Sequence, residues 1–204
     1  MKKINITLLL FITFILAASA KDTTNSQQAR QLFDKTYNLV FGPQGSSLHY
    51  FVNVVGIYKT EGDICYKGNK SKFEEARYSS WNDGTTFYKV DKKKKTVELY
   101  DPNSIDRDKY ASKFTFVPDN YTYSLSTTET EQVITIDAKK GVDGIKHVKA
   151  VRDKKSGIPK SLRIKVLWFW TNVKISNFHS GNINNNVFIF PKARFKDYTV
   201  TDKR

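Results

Sequence analysis

The sequence predicts a mainly β protein, in which one helix precedes about ten antiparallel strands that form a curled sheet. Three observations lead there. Short runs rich in aromatic and β-branched residues recur from Leu48 to the C-terminal region, and turn signals separate them. Only one stretch, Ser26 to Val40, carries an extended helical period. A sheet of about ten strands normally curls or closes.

The first twenty residues read as an export signal. Lys2-Lys3 is followed by an apolar run from Ile4 to Ala18, and Ala18-Ser19-Ala20 is an A-x-A cleavage site. Residues 21–204 are then expected to form a single mature domain, long enough for one substantial core. The chain lacks a cysteine at the cleavage point that could take a lipid, and its one cysteine is Cys65. A lone cysteine cannot form an internal disulfide, so a bacterial periplasm fits better than a eukaryotic exterior.

In the helical stretch Ala29, Leu32, Phe33, Thr36, Tyr37 and Val40 form one stripe, with Ser26 as the expected cap and Gly42-Pro43 as the stop. A one-sided helix must bury its stripe, and a sheet is all that remains to receive it. From Leu48 to Tyr58 both alternating sets are apolar, which predicts a central strand. A meander is expected from Thr60 to Asp101, with strands over Gly62–Gly68, Lys72–Trp81, Thr85–Val90 and Thr96–Tyr100. Asp83-Gly84 and Lys92–Lys95 mark its hairpin tips. Asp101–Lys113 reads as a short helical or irregular interruption with Ser104 as a cap.

Strands resume at Tyr121–Thr127, Gln132–Asp137, Ile145–Arg152 and from Leu162 onward. The apolar parity flips after Trp170, which requires a turn or bulge near Trp170 to Asn172. Trp168-Phe169-Trp170 then either closes the end of the core or forms an apolar tip that meets ligand or membrane. Val187–Pro191 reads as a further strand and Asp197–Thr201 as a tail that pairs at an edge.

The residues do not assemble a catalytic signature. His49, His147 and His179 lie in separate segments without metal-ligand spacing, and no nucleophile elbow or glycine-rich phosphate loop occurs. Glu74 and Glu75 should point to opposite faces of their strand. No enzyme activity, cofactor or metal is expected. The formal net charge is +14, to which the leader contributes Lys2 and Lys3. Such charge attracts nucleic acid, anionic lipid or an acidic partner, and an exported protein does not meet nucleic acid. The sequence holds 14 Phe, 11 Tyr and 3 Trp, more apolar area than one helix can cover, which suits a cavity for a hydrophobic ligand.

At this point the chain resembles the LolA family of periplasmic carriers of outer-membrane lipoproteins. The resemblance rests on the signal without a lipid-accepting cysteine, the single amphipathic helix, and Gly62 and Lys67 before Phe73. It extends to Asp83-Gly84 followed by Phe87 and Tyr88, and to Phe188-Ile-Phe-Pro191 with Val200 and Asp202. It implies a half-open β-barrel with the N-terminal helix and a short lid segment over an apolar cavity.

The implied cargo is lipoprotein acyl chains, taken by a monomer from an inner-membrane ABC-type release complex to an outer-membrane acceptor. Candidate cavity residues are Tyr50, Val52, Val54, Ile64, Tyr66, Phe73, Phe87, Leu99, Leu125, Ile164, Val166, Trp168, Phe188 and Phe190. Two departures imply a more open cavity. Gly68 stands where the family's lid arginine follows the lysine, and the segment from Tyr100 to Phe114 is short. A binder of another hydrophobic envelope molecule is the alternative on the same fold, and an envelope hydrolase is the alternative from another class.

Overall fold

The computed structural model describes residues 24–54, 58–107, 116–166 and 169–204. The leader and its cleavage position, the Val55 and Ile57 assignments, most of the lid segment and Trp168 lie outside the described residues.

Helix α1 covers residues 24–41. It is already helical at Ser26, so Ser26 is not its cap, and the Asn25 side chain is committed elsewhere. Gly42 ends the helix, though not with the expected left-handed backbone, since the first positive φ after it is at Gly45. Gly42 is needed for closeness instead: a Cβ there would lie 2.2 Å from the Asn38 carbonyl oxygen. The Gly42 amide donates to that carbonyl.

Twelve strands follow among the described residues: β1 (Ser46–Val54), β2 (Tyr58–Lys67), β3 (Lys70–Glu75), β4 (Tyr78–Asn82), β5 (Phe87–Asp91) and β6 (Thr96–Tyr100). After a short 3-10 turn at Ile105–Arg107 come β7 (Tyr121–Thr127), β8 (Glu131–Ala138), β9 (His147–Asp153), β10 (Pro159–Val166), β11 (Phe169–Ser180) and β12 (Thr199–Asp202). They form one sheet in the order β12-β6-β5-β4-β3-β2-β1-β11-β10-β9-β8-β7. The ends β12 and β7 do not meet, so the curled sheet is a half-open barrel. β1 is central, between β2 and β11, as its two apolar faces predict. The tail pairs at the edge as expected, but β12 runs parallel to β6.

Three segments depart from the sequence reading. Lys72–Trp81 is not one strand, because the chain reverses at Ala76-Arg77 and Phe73 then pairs with Ser80. The reversal between β10 and β11 falls before Phe169, so Trp170 is already in β11 opposite Lys165. Val187–Pro191 is not a strand. Asn184 accepts from the Asn186 amide and starts a 3-10 turn over Asn185–Phe188, and a second turn follows Pro191. Phe188 is 1% exposed in the first turn, and Phe190 and Phe195 pack on the sheet. Burying these rings on a sheet face outweighs their strand propensity.

Strand register sorts the side chains onto two faces. Ile134, Ile136, Val148, Tyr121 and Tyr123 on one face form a core with Ala29, and Leu32 and Phe33 of α1 pack against it. This is the inner face. On the outer face Trp81, Val90 and Val97 form a second core with Phe195, joined by Tyr88, Leu99, Phe190 and Tyr198. Glu74 belongs to the outer face and is gripped by Lys72 at 2.7 Å and Arg194 at 2.6 Å, while Glu75 meets Tyr50 on the inner face.

Candidate functional site: the inner face under the helix

Helix α1 crosses the inner face from the β7 edge to β2. At its start Asn25 clasps the edge strand: its amide donates to the Leu125 carbonyl at 3.0 Å and its carbonyl accepts from the Leu125 amide at 2.9 Å. That is the pairing an additional strand would make. At its far end Phe41 lies 4.7 Å from the Tyr66 ring of β2, and Tyr37 lies 4.6 Å from Phe41. Burial among these rings pushes the Tyr66 hydroxyl pKa up. Eighteen residues of helix span about 27 Å, enough to bridge the strands between these anchors.

The two halves of the helix are held differently. Ala29 is 0% exposed, whereas Tyr37, Leu39 and Phe41 remain 43%, 37% and 36% exposed. Midway, Arg152 of β9 donates through Nη1 to the Thr36 hydroxyl at 3.0 Å and to the Leu32 carbonyl at 3.3 Å. The Thr36 hydroxyl donates in turn to the Leu32 carbonyl at 2.8 Å. Arg152 Nε is buried without a hydrogen-bond partner, and burial lowers the guanidinium pKa. Among the described residues this guanidinium is fastened under the helix by one threonine hydroxyl and one backbone carbonyl.

The inner face brings together Tyr50, Val52, Ile64, Tyr66, Phe73, Phe87, Leu125 and Ile164. Register fixes this, since Tyr50 pairs with Gly62 and Ile175, Ile64 with Leu48 and Phe73, and Phe87 with Tyr100. Tyr50 and Phe73 stack at 5.9 Å, and Leu125 and Ile164 lie against the helix core. Val54 pairs with Tyr58 and Val166 with Phe169 in the backbone, but their side chains lie outside the described residues. Leu99 and Phe190 are elsewhere. They pack around Trp81 on the outer face, and Phe188 is in the 3-10 turn lying along β3. Leu99 pairs with Tyr88, which pairs with Trp81, so a four-residue turn at Lys92–Lys95 sets its face.

Arg152 is not among the candidates read from the sequence, yet its signal is present there. It continues the alternation of Val148 and Ala150, which places it on the buried face of β9. A polar cleft also flanks the helix, lined by Gln28, Gln31, Lys35 and Gln132 with Leu32 and Leu125. Cys65 is half-buried on the outer face, where burial raises its thiol pKa and Lys72 opposes this. His49 and His147 are held by Asp63 at 2.9 Å and Asp137 at 2.7 Å. Among the described residues no cluster of three potential metal ligands occurs.

No protein-family model and no curated protein matches the sequence. Among solved structures the chain is similar to an uncharacterized conserved protein from Thermus thermophilus. The identity is 9%, the match covers 86% of this chain and 99% of that one, and the TM-score is 0.58. It is also similar to a LolA superfamily protein from Nitrosomonas europaea, at 7% identity over 79% of this chain and 97% of that one, with a TM-score of 0.39. A DUF1329 family protein from Desulfovibrio piger matches at 12% identity over 81% of this chain and 97% of that one, with a TM-score of 0.44. At such identities the Thermus likeness shows a shared fold: a half-open β-barrel crossed by one helix.

Proposed function

We propose that this protein is a non-enzymatic, monomeric periplasmic carrier that holds the acyl chains of lipoproteins between α1 and the inner face. In this reading it receives them from an inner-membrane ABC-type release complex and passes them to an outer-membrane acceptor. The observation that carries the reading is the unequal seating of α1. The side chains of its first half are packed on the sheet, while Tyr37, Leu39 and Phe41 lie partly exposed over the strands that present Tyr50, Ile64, Tyr66 and Phe73. That end is held through its backbone, with the Ser46 hydroxyl donating to the Val40 carbonyl and the Ser180 hydroxyl to the Leu39 carbonyl. Lifting the second half of the helix would uncover the patch formed by Tyr50, Ile64, Tyr66 and Phe73. Each acyl methylene buried there contributes about 0.8 kcal/mol.

A photo-crosslinking residue at Ile64 or Phe73 tests this. It should capture lipoprotein in the periplasm, whereas one at Leu99, on the outer face, should not. Equal capture from both faces would remove the site assignment. Depletion should make lipoproteins accumulate at the inner membrane, and normal sorting would remove the cargo assignment. Capture of a free lipid at Phe73 would favour a binder of another hydrophobic envelope molecule.

A further inference from the structure

We infer that the outer face of β9, β10 and β11 docks on an anionic phospholipid bilayer through Trp170 and the cations around it. Trp170 is 38% exposed, unlike Trp81, which is 2% exposed in a core. Lys149 Nζ lies 5.5 Å and Arg163 Cζ 5.7 Å from the Trp170 ring centre, and Lys165 is its cross-strand neighbour. Register extends the same row outward: Lys149 pairs with Arg163, Arg163 with Asn172, Asn172 with Asn53, and Asn53 with Lys59. With strands about 4.8 Å apart, this row is about 19 Å long on a single face.

Some basic side chains of this protein are matched by acids, as in Lys72 with Glu74 and Lys160 with Glu131, whereas those of this row are not and are gathered on one face around an exposed indole. Among the described residues, Lys59, Lys149, Arg163, Lys165 and Lys174 form no ion pair with a carboxylate. The nearest acids in the register are Asp137, which is bonded to His147, and Glu61 opposite Phe51. The row therefore presents unneutralised positive charge, two amide side chains able to donate to phosphate, and one indole. An anionic head-group layer complements all three, since tryptophan favours the bilayer interface and cations favour its phosphates.

Co-sedimentation with vesicles tests the proposal. The protein should bind vesicles of phosphatidylcholine and phosphatidylglycerol, release them at high salt, and ignore phosphatidylcholine alone. Replacing Lys149, Arg163 and Lys165 together by glutamine should weaken binding about fivefold per charge removed, from ~1 kcal/mol for each basic side chain at such a surface. A control with Lys93, Lys94 and Lys155 replaced by glutamine has the same net charge and should bind like the wild type.

Equal loss in both variants would show a response to net charge alone and overturn the assignment to this face. Binding only to a soluble polyanion such as polyglutamate would overturn the bilayer. Without relying on the triple variant's folding, brominated acyl chains should quench wild-type fluorescence and spare the Trp170→Phe variant. Undiminished quenching in that variant would overturn the role of Trp170.

Discussion

Arg152 reaches from β9 to Thr36 of α1, its Nη1 donating across 3.0 Å to the threonine hydroxyl. The same nitrogen also meets the Leu32 carbonyl, while Nε is left without a partner. Removing an acceptor from a partly buried cation costs more than removing the cation, because the charge would stay desolvated and less satisfied. Thr36→Val should therefore destabilise the fold by about 1–3 kcal/mol in urea unfolding. Arg152→Met, which fills similar space without charge, should cost less. Both variants should bind an environment-sensitive apolar dye more strongly, if the helix opens as proposed.

Asn25→Ala removes two hydrogen bonds to the Leu125 backbone at once. At about 0.5–1.5 kcal/mol for each bond, a loss of roughly 1–3 kcal/mol is expected. Hydrogen exchange offers the local readout. The Leu125 amide should exchange faster in the variant, while amides of β2 and β3 keep their protection.

Gly62 sits between Tyr50 and Glu75 in the register, and a Cβ there would lie 2.4 Å from the Glu74 carbonyl oxygen and 3.0 Å from Tyr50 Oη. The bare backbone makes room for the Tyr50 hydroxyl to donate to Glu75. Gly62→Ala should destabilise by about 1–3 kcal/mol through overpacking. Near-ultraviolet circular dichroism should report the displaced tyrosine.

Burial tends to raise the Glu74 carboxyl pKa, but hydrogen bonds and charge from Lys72 and Arg194 outweigh it and hold the group below the usual carboxylate range. Its folded pKa is depressed relative to an ordinary 4.5, so its contribution is present above that pH and is lost as pH falls through the folded value. Stability measured by thermal unfolding should decline in acid below about pH 4.5, and Glu74→Gln should flatten that decline. An unchanged acid limb would show that other carboxylates govern it.

Much of this architecture is legible from residue patterns. The stripe of Ala29, Leu32 and Phe33 and the alternation in Tyr121–Thr127 carry their burial directly in their spacing. What escapes such a reading depends on how the chain turns between strands. Ala76-Arg77 holds no glycine, proline or asparagine, so the reversal that separates Phe73 from Trp81 leaves no local mark. Leu99 lies on the outer face because its parity is counted across the Lys92–Lys95 turn, where one residue decides the side. Phe188 and Phe190 look like strand residues alone, and only the folded sheet, with β3 beside the turn of Phe188 and with Trp81 and Tyr88 receiving Phe190, supplies the surface that takes them out of a strand. Arg152 is hidden by its charge, which discourages assigning a side chain to a core even when its position demands it.

The unclosed sheet leaves two rims, and each is guarded by a different device. Along β7 the backbone is occupied by the amide of Asn25. At the other end β6 is covered by β12, so the rim there is a strand of only four residues, fastened to β6 where Lys203 meets Glu98. An unguarded strand rim is a template for adding a strand from another molecule. Under the proposed function, the far end of α1 lifts for cargo while Asn25 keeps hold of its rim, and the barrel does not polymerise.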